Sequence, residues 1–196
     1  MKPIRTAIFG GSFNPIHRAH VHLAKLTLQQ NMADEVWLMV SPQNPLKQNR
    51  QLLDQDTRLQ LARLALQDEK QIKASDFEFQ LPKPSYTWRT MELLAKKFPQ
   101  RQFSLLIGAD NWHAFPQWAR HETLLSLYNI IIFPRKNYPV DPQTLPPGTQ
   151  LLNAPLFPWS STQIRQALAQ GKDCSQMLHP EVLKQLLRQN PYSAED

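Results

Sequence analysis

The sequence contains a single cysteine, which excludes an internal disulfide. Cys174 stands in the run 172–175 without a metal-ligand companion nearby, so we expect an inert thiol in a reducing compartment. No window comes near the roughly 20 apolar residues that a membrane helix needs, and the N-terminal apolar run is too short for a signal peptide. We therefore expect a soluble, cytoplasmic protein with no membrane partner.

Runs of basic residues are also lacking, although 22 Lys and Arg outnumber 16 Asp and Glu and give a formal net charge of +6. Such an excess of positive charge suits a phosphorylated partner, but excess charge equally often serves only to keep a protein soluble. The basic residues are scattered, without the stripe or recognition helix of a nucleic-acid binder. The sequence therefore favours small-molecule substrates and no nucleic acid, and it makes no prediction of oligomeric state.

Apolar strand-like runs alternate with amphipathic helical stretches along the 196 residues. The candidate strands, of which the last two are weaker, lie at 6–9, 35–40, 103–107, 129–133, 71–79 and 150–153. Helical spacing follows the start signal at 54–57 and recurs over 90–98 and 182–187. The alternation predicts an α/β fold in which helices cover both faces of a parallel sheet. We predict one domain over 1–190 and a frayed tail at 191–196.

Polar segments follow the candidate strands at the points where ligands bind in open parallel sheets. The first such segment runs from Gly10 to His20. The paired glycines Gly10 and Gly11 predict a sharp turn and a close approach to a ligand. His17 and His20 are three residues apart, which places both imidazoles on one face of a first helical turn. Free N–H groups and the helix dipole there favour an anion, so the segment predicts a phosphate site.

A second segment, Ser160-Ser161-Thr162, has the hydroxyl-rich pattern of a helix N-cap, and Arg165 follows one turn later. By itself this pattern is more often only a helix cap. Together with the histidine segment it favours contact with phosphates, because helix N–H groups and a guanidinium fork are strong phosphate donors.

These segments resemble the bacterial nicotinate-nucleotide adenylyltransferase family of the HxGH-type nucleotidyltransferases. The resemblance rests on residues 10–20 for GGxFxPxHxGH, on Ser85-Tyr86-Thr87, on 107–110 followed by Trp118, and on 160–165 for SSTxIR. It implies a Rossmann-like, doubly wound parallel sheet. It also implies transfer of AMP from ATP to nicotinate mononucleotide, with release of pyrophosphate.

The resemblance further implies a role for each matched residue. His17 and His20 would stabilise the α-phosphate by hydrogen bonds and would not act as nucleophiles. Mg²⁺ is expected to arrive with ATP, held mostly by phosphates and waters and not by a dedicated protein site. The implied ATP contacts are Gly10, Gly11, Ser12, Phe13, Gly108, Asp110, Ser160, Ser161, Thr162 and Arg165. The implied mononucleotide contacts are Asn44, Lys47, Ser85, Tyr86, Thr87, Trp118 and Arg135.

Several alternatives stay open at this stage. Trp118 either stacks on the nicotinate ring or belongs to a core stripe of aromatics, and Lys47 is either a phosphate ligand or a solvated loop charge. The acceptor could be nicotinamide mononucleotide or another phosphorylated molecule, and a non-catalytic nucleotide binder is the alternative of a different class. Ala19 stands where the family pattern has glycine, which places a methyl group near the expected nucleotide, and Asn14 stands where many relatives carry Asp.

Overall fold

The computed structural model describes residues 2–42 and 52–192. In this part of the chain, six strands form one sheet in the order β3-β2-β1-β4-β5-β6, and all five pairings are parallel. The strands are β1 (Ile4–Gly11), β2 (Glu35–Val40), β3 (Ile72–Ser75), β4 (Arg101–Gly108), β5 (Asn129–Phe133) and β6 (Thr149–Leu151). This is the strand order of the Rossmann fold, in which ligands bind where the order reverses, here between β1 and β4. The predicted fold class is confirmed.

Seven α-helices connect and follow the strands of the described chain. They are α1 (Arg18–Gln29), α2 (Gln55–Ala65), α3 (Thr87–Lys97), α4 (Ala109–Ala114), α5 (His121–Leu127), α6 (Ser161–Ala169) and α7 (Pro180–Gln189). Short 3₁₀ turns occupy Phe77–Gln80, Phe115–Gln117 and Pro142–Thr144. Over residues 2–42 and 52–192, none of the helices is long and apolar enough to cross a membrane.

The weaker strand predictions were too long. The run 71–79 contains a strand only over Ile72–Ser75, after which the Ser75 hydroxyl accepts a hydrogen bond from the backbone N–H of Phe77 at 3.3 Å. This side-chain contact redirects the backbone into the 3₁₀ turn. The last strand covers Thr149–Leu151 instead of 150–153.

Side chains that alternate along the strands divide the core between the two faces of the sheet. Ala7 and Phe9 of β1 pack in one cluster with residues of α1, α2, α6 and α7. Ile8, between them, packs in the other with residues of α3, α4 and α5. The two-residue period of a strand and the helices on both faces explain why the central strands are apolar on both sides.

The amino ends of the strands carry charged pairs. The Glu35 carboxylate, buried at the start of β2, accepts hydrogen bonds from Arg101 Nε at 2.6 Å and from the Thr6 hydroxyl at 2.8 Å. Burial alone would raise the pKa of Glu35, but hydrogen bonds from Arg101 and Thr6, together with the positive charge of Arg101, hold it below its usual value. This carboxylate is therefore ionised and paired in the folded protein.

Candidate active site at the carboxyl edge of the sheet

The first predicted segment begins inside a strand. β1 continues through Gly11, and the chain turns at Phe13, whose φ is +46°. The predicted sharp turn at the paired glycines is therefore wrong. A Cβ on Gly11 would lie 3.1 Å from the Phe13 ring, whereas a Cβ on Gly10 would meet nothing within 4 Å. Gly11 makes room for the ring, and Gly10 leaves open space at the end of the strand.

The two motif histidines lie side by side at the start of α1. His17 is the N-cap and His20 the third helical residue, and their rings stack with centroids 3.7 Å apart. Nδ1 of His20 accepts a hydrogen bond from the backbone N–H of His17 at 3.2 Å. A neutral imidazole carries one proton, so Nε2 of His20 is the donor nitrogen. The predicted shared face is confirmed.

Both histidines are held in the neutral form. Burial, together with the positive charge of Arg135, lowers the pKa of His17 to about 3. Burial, with a further contribution from the positive charge of Arg135, lowers the pKa of His20 well below its usual value. The Arg135 guanidinium lies over the Phe133 ring, 5.0 Å from its centroid, and Phe133 packs against Phe9, whose ring contacts that of His20. Two neutral donors beside a cation form a site suited to an anion.

The backbone at the start of α1 is less available than predicted. The N–H of Arg18 donates to the Met177 carbonyl at 2.9 Å, and the N–H of His20 donates to the His17 carbonyl at 3.0 Å. The prediction of free N–H groups is therefore wrong for both of these residues, because a distant segment occupies the N–H of Arg18 and a local turn occupies that of His20.

The second predicted segment docks against the first. The Ser161 hydroxyl donates to the Pro15 carbonyl at 3.1 Å, and Arg165 Nη1 donates to the Asn14 carbonyl at 2.8 Å. Arg165 Nη2 contacts the Thr162 hydroxyl at 3.3 Å. Ser160 is the N-cap of α6 as predicted, and its hydroxyl accepts from the backbone of Gln163. The structure thus brings the two motifs together, and Arg165 is largely engaged with the protein itself.

The residues after β4 and β5 form a third part of the carboxyl edge. Asp110 Oδ1 and Arg135 Nε lie 3.5 Å apart in a partly exposed ion pair. A Cβ on Gly108 would overlap Asp110 Oδ1 and lie 3.1 Å from Arg135 Nε. Position 108 therefore needs glycine for this pair to keep its arrangement.

The predicted Ser85-Tyr86-Thr87 segment forms the start of α3. Ser85 is buried and its hydroxyl donates to Glu78 Oε2 at 3.1 Å, while Tyr86 is exposed and Thr87 is the first helical residue. Glu78 Oε1 accepts from the Thr90 hydroxyl at 2.8 Å. Burial raises the pKa of Glu78 despite these hydrogen bonds. Glu78 was missed because it lay within a predicted strand, where a carboxylate carries no particular signal.

The aromatic residues after β4 form a connected row. Trp112 and Phe115 stack with ring centroids 5.4 Å apart, and Phe115 and Trp118 lie 5.3 Å apart. Phe115 is buried in the core, whereas Trp118 is only partly buried and packs against it. Nε1 of Trp118 has no hydrogen-bond partner within the described residues. Trp118 therefore has packing on one side and remains a candidate for stacking on the other.

Arg58, on α2, is a component of this edge that the sequence did not reveal. It is completely buried, and it donates to the carbonyls of Ser12 and Ser41 at 2.7 Å each. It also contacts the carbonyls of Pro42 at 3.1 Å and Leu53 at 2.9 Å. Arg58 therefore fastens the chain that follows β1 to the chain that follows β2. In the sequence it was indistinguishable from a solvated helix charge, because its partners are backbone atoms.

Two predicted contacts, Asn44 and Lys47, lie outside the described residues. The remaining predicted site residues follow the carboxyl ends of strands or begin the helices after them, so they share one edge of the sheet. Direct contacts join His17 to His20, Asp110 to Arg135, and the start of α6 to the chain at Asn14 and Pro15.

Comparison with known proteins agrees with this arrangement. The family model described as cytidylyltransferase-like matches residues 8–167. A protein of Bacteroides fragilis named "Probable nicotinate-nucleotide adenylyltransferase" is 44% identical over 96% of this chain and 94% of its own. A relative of the same name from Flavobacterium johnsoniae is 36% identical over 96% and 99% of the two chains.

The fold also matches a solved structure. The nicotinic acid mononucleotide adenylyltransferase of Plasmodium falciparum, complexed with NaAD, superposes with a TM-score of 0.81 at 21% identity, over 96% of this chain and 97% of that one. At this level of identity the match supports the fold alone, and the sequence relatives carry the family assignment. The chain belongs to the cytidylyltransferase-like family and, within it, to the nicotinate-nucleotide adenylyltransferases.

Proposed function

We propose that the chain transfers AMP from ATP to nicotinate mononucleotide, forming nicotinate adenine dinucleotide and pyrophosphate. The observation that carries this proposal is the stacked, neutral pair of His17 and His20 beside Arg135 at the reversal point of the sheet. The names of the sequence relatives support the choice of acceptor.

The geometry supports a mechanism by charge stabilisation. A phosphate oxygen of the mononucleotide forms a bond to the α-phosphorus of ATP, the bond from that phosphorus to the β-phosphate oxygen breaks, and pyrophosphate leaves with the bonding electrons. The nucleophile is already an anion, so no protein base is needed. We propose that His17 and His20 donate hydrogen bonds to the α-phosphate oxygens as their charge grows, with Arg135 adding a positive field.

Magnesium belongs to the same proposal. Asp110 has the carboxylate oxygens that Mg²⁺ prefers, but its side chain pairs with Arg135. Mg²⁺ would therefore arrive with ATP. The triphosphate and water molecules would supply most of its ligands at this edge. Bound there, it would neutralise phosphate charge. We also propose a cytoplasmic location, which suits the free, buried Cys174 thiol.

The test is pyrophosphate release with ATP and Mg²⁺, with nicotinate mononucleotide and nicotinamide mononucleotide offered in parallel. We expect a strong preference for the nicotinate form. Because one preorganised donor is lost, His17→Ala should lower kcat about 100-fold or more. His22→Ala, on the exposed face of the same helix, is the matched control and should keep full activity.

Each other outcome has a distinct meaning. Preference for the nicotinamide form would show that nicotinamide mononucleotide is the acceptor and would leave the proposed transfer of AMP unchanged. Nucleotide binding without pyrophosphate release from either acceptor would reject the proposed reaction in favour of a binding protein.

A further inference from the structure

The chain that follows α7 returns to the core. Asn190 ends the helix in the left-handed conformation, with φ of +43° and ψ of +47°, which turns the backbone sharply. Two residues later, Tyr192 is only 6% exposed and packs in the same cluster as Val182 and Leu186. The predicted frayed tail began at residue 191, yet the packed part of the chain extends at least to Tyr192.

The hydroxyl of Tyr192 contacts the first motif directly. It donates to Asn14 Oδ1 at 3.0 Å, and the same oxygen accepts from the backbone N–H of Leu53 at 3.3 Å. Burial raises the pKa of Tyr192 above its usual value, although the positive charges of Arg165 and Arg58 act in the opposite direction. The hydroxyl therefore keeps its proton and remains a donor.

The contact lies at a junction that two arginines also hold. Asn14 follows the turn at Phe13 and precedes His17 by three residues. Arg58 holds the Ser12 carbonyl on one side of that turn, and Arg165 holds the Asn14 carbonyl on the other. These two guanidiniums fix the backbone, whereas the Tyr192 hydroxyl fixes the Asn14 side chain.

We infer that Tyr192 is a positioning residue for the adenylyl transfer, acting through Asn14 on the turn that presents His17 and His20. The inference rests on the proposed function of the histidine pair. A displacement of about 1 Å in groups that must meet a transition state lowers the rate strongly, so a hydroxyl remote from the substrate can control kcat. A tyrosine that only sealed the core would affect stability and leave the turnover of folded protein unchanged.

The direct test is Tyr192→Phe, which keeps the ring and removes only the hydroxyl. We expect kcat to fall about tenfold, because Asn14 loses a buried donor, while the KM values for both substrates change less than about twofold. Tyr128→Phe is the matched control, since Tyr128 precedes β5 at the opposite edge of the sheet. An unchanged kcat together with a lowered Tm would overturn the inference.

A second pair of variants tests the partner of the hydroxyl. Asn14→Asp keeps an acceptor for Tyr192 and should retain most of the activity, whereas Asn14→Ala, which also removes the contact with the Leu53 N–H, should lose at least as much as Tyr192→Phe. The double variant Asn14→Ala/Tyr192→Phe should be no slower than Asn14→Ala alone, because the Tyr192 hydroxyl is expected to act only through the Asn14 side chain. Equal activity of Asn14→Asp and Asn14→Ala, or fully additive losses, would contradict the inference even if Tyr192→Phe does not fold.

A readout independent of turnover separates this inference from the proposed function. In ¹⁵N NMR spectra of the imidazoles, the wild-type His20 should carry its proton on Nε2, and Tyr192→Phe should shift the signal toward a mixture of tautomers. An inactive wild-type protein with this spectral change would reject the reaction and keep the positioning role. An unchanged His20 spectrum together with unchanged turnover would reject the positioning role.

Discussion

The two edges of the sheet use arginine in opposite ways. At the amino edge, Arg101 pairs with the buried carboxylate of Glu35 and Arg5 pairs with Asp34 at 2.6 Å. At the carboxyl edge, Arg58 and Arg165 donate mainly to backbone carbonyls, which carry no net charge and so do not cancel the charge of the guanidiniums. The arginines of the amino edge therefore pair with carboxylates, whereas at the carboxyl edge Arg135 pairs with Asp110 and the charges of Arg58 and Arg165 face backbone carbonyls.

The effect on neighbouring groups differs in the same way. Arg101 helps to hold the pKa of Glu35 below its usual value, which keeps an ion pair intact in the folded state. Arg135 helps to lower the pKa values of His17 and His20, which keeps both imidazoles neutral. The ion pairs of the amino edge stabilise the fold. The carboxyl edge combines arginine side chains with neutral imidazole donors, which suits a polyphosphate ligand.

Removing Arg58 should break the carboxyl edge most severely. In Arg58→Ala, the carbonyls of Ser12, Ser41, Pro42 and Leu53 lose a buried donor. We expect about 3 kcal/mol or more of lost stability and loss of activity. Urea denaturation measures the first and pyrophosphate release the second. Arg63→Ala, an exposed arginine on the same helix, is the control and should change stability by less than about 0.5 kcal/mol.

A smaller loss is expected from Gly108→Ala. The added methyl group would overlap Asp110 Oδ1, so the Asp110–Arg135 pair must separate. Because this edge is proposed to bind ATP, kcat/KM for ATP should fall about tenfold with only a small change in Tm. Steady-state kinetics and a thermal melt measure both, and an unchanged kcat/KM would show that the pair is not needed for ATP.

The amino edge should show a pH-dependent effect. The folded-state pKa of Glu35 is depressed, so its contribution is present above the unfolded pKa of about 4.5 and is lost as the pH falls toward the folded value. Glu35→Gln should therefore cost about 1 kcal/mol near pH 7 and progressively less in acid. Urea denaturation between pH 7 and pH 3 measures this difference, and a pH-independent difference would contradict the assignment of the ion pair.

The smallest effect is expected at Ala19. Its side chain is buried in α1, so little of the methyl group can reach a nucleotide. Ala19→Gly should lower the KM for ATP or leave it unchanged, and it should cost at most about 1 kcal/mol of stability through helix propensity. A clear rise in this KM would contradict the predicted position of the methyl group near the nucleotide.

Local patterns were sufficient to predict the sheet, the helix start at His17 and the N-cap at Ser160. Each of these depends on residues that are near in sequence, whether through strand periodicity, helix spacing or a capping hydroxyl. The resemblance then placed the predicted residues along one edge of the sheet, although it could not describe how they contact one another.

The contacts that were missed follow no sequence pattern. Arg58 donates to backbone carbonyls, and the Met177 carbonyl accepts from the N–H of Arg18. Glu78 accepts hydrogen bonds from the hydroxyls of Ser85 and Thr90. Arg58 and Arg18 contact carbonyl groups that every residue has, and the Glu78 contacts depend on the 3₁₀ turn that was predicted as a strand, so none of them could be predicted from residue type and spacing. The turn at Phe13 was misplaced for a related reason, since a non-glycine residue with positive φ departs from the usual preference.

The junction at Asn14 also has a consequence for biosynthesis. Its partners Arg165 and Tyr192 lie 151 and 178 residues later in the chain. During translation, the histidine segment emerges early, gains the Arg165 contact only after α6 has left the ribosome, and gains the Tyr192 contact last. A nascent chain can therefore form its first strands well before this junction is complete, and we expect full activity only when synthesis has passed the end of α7.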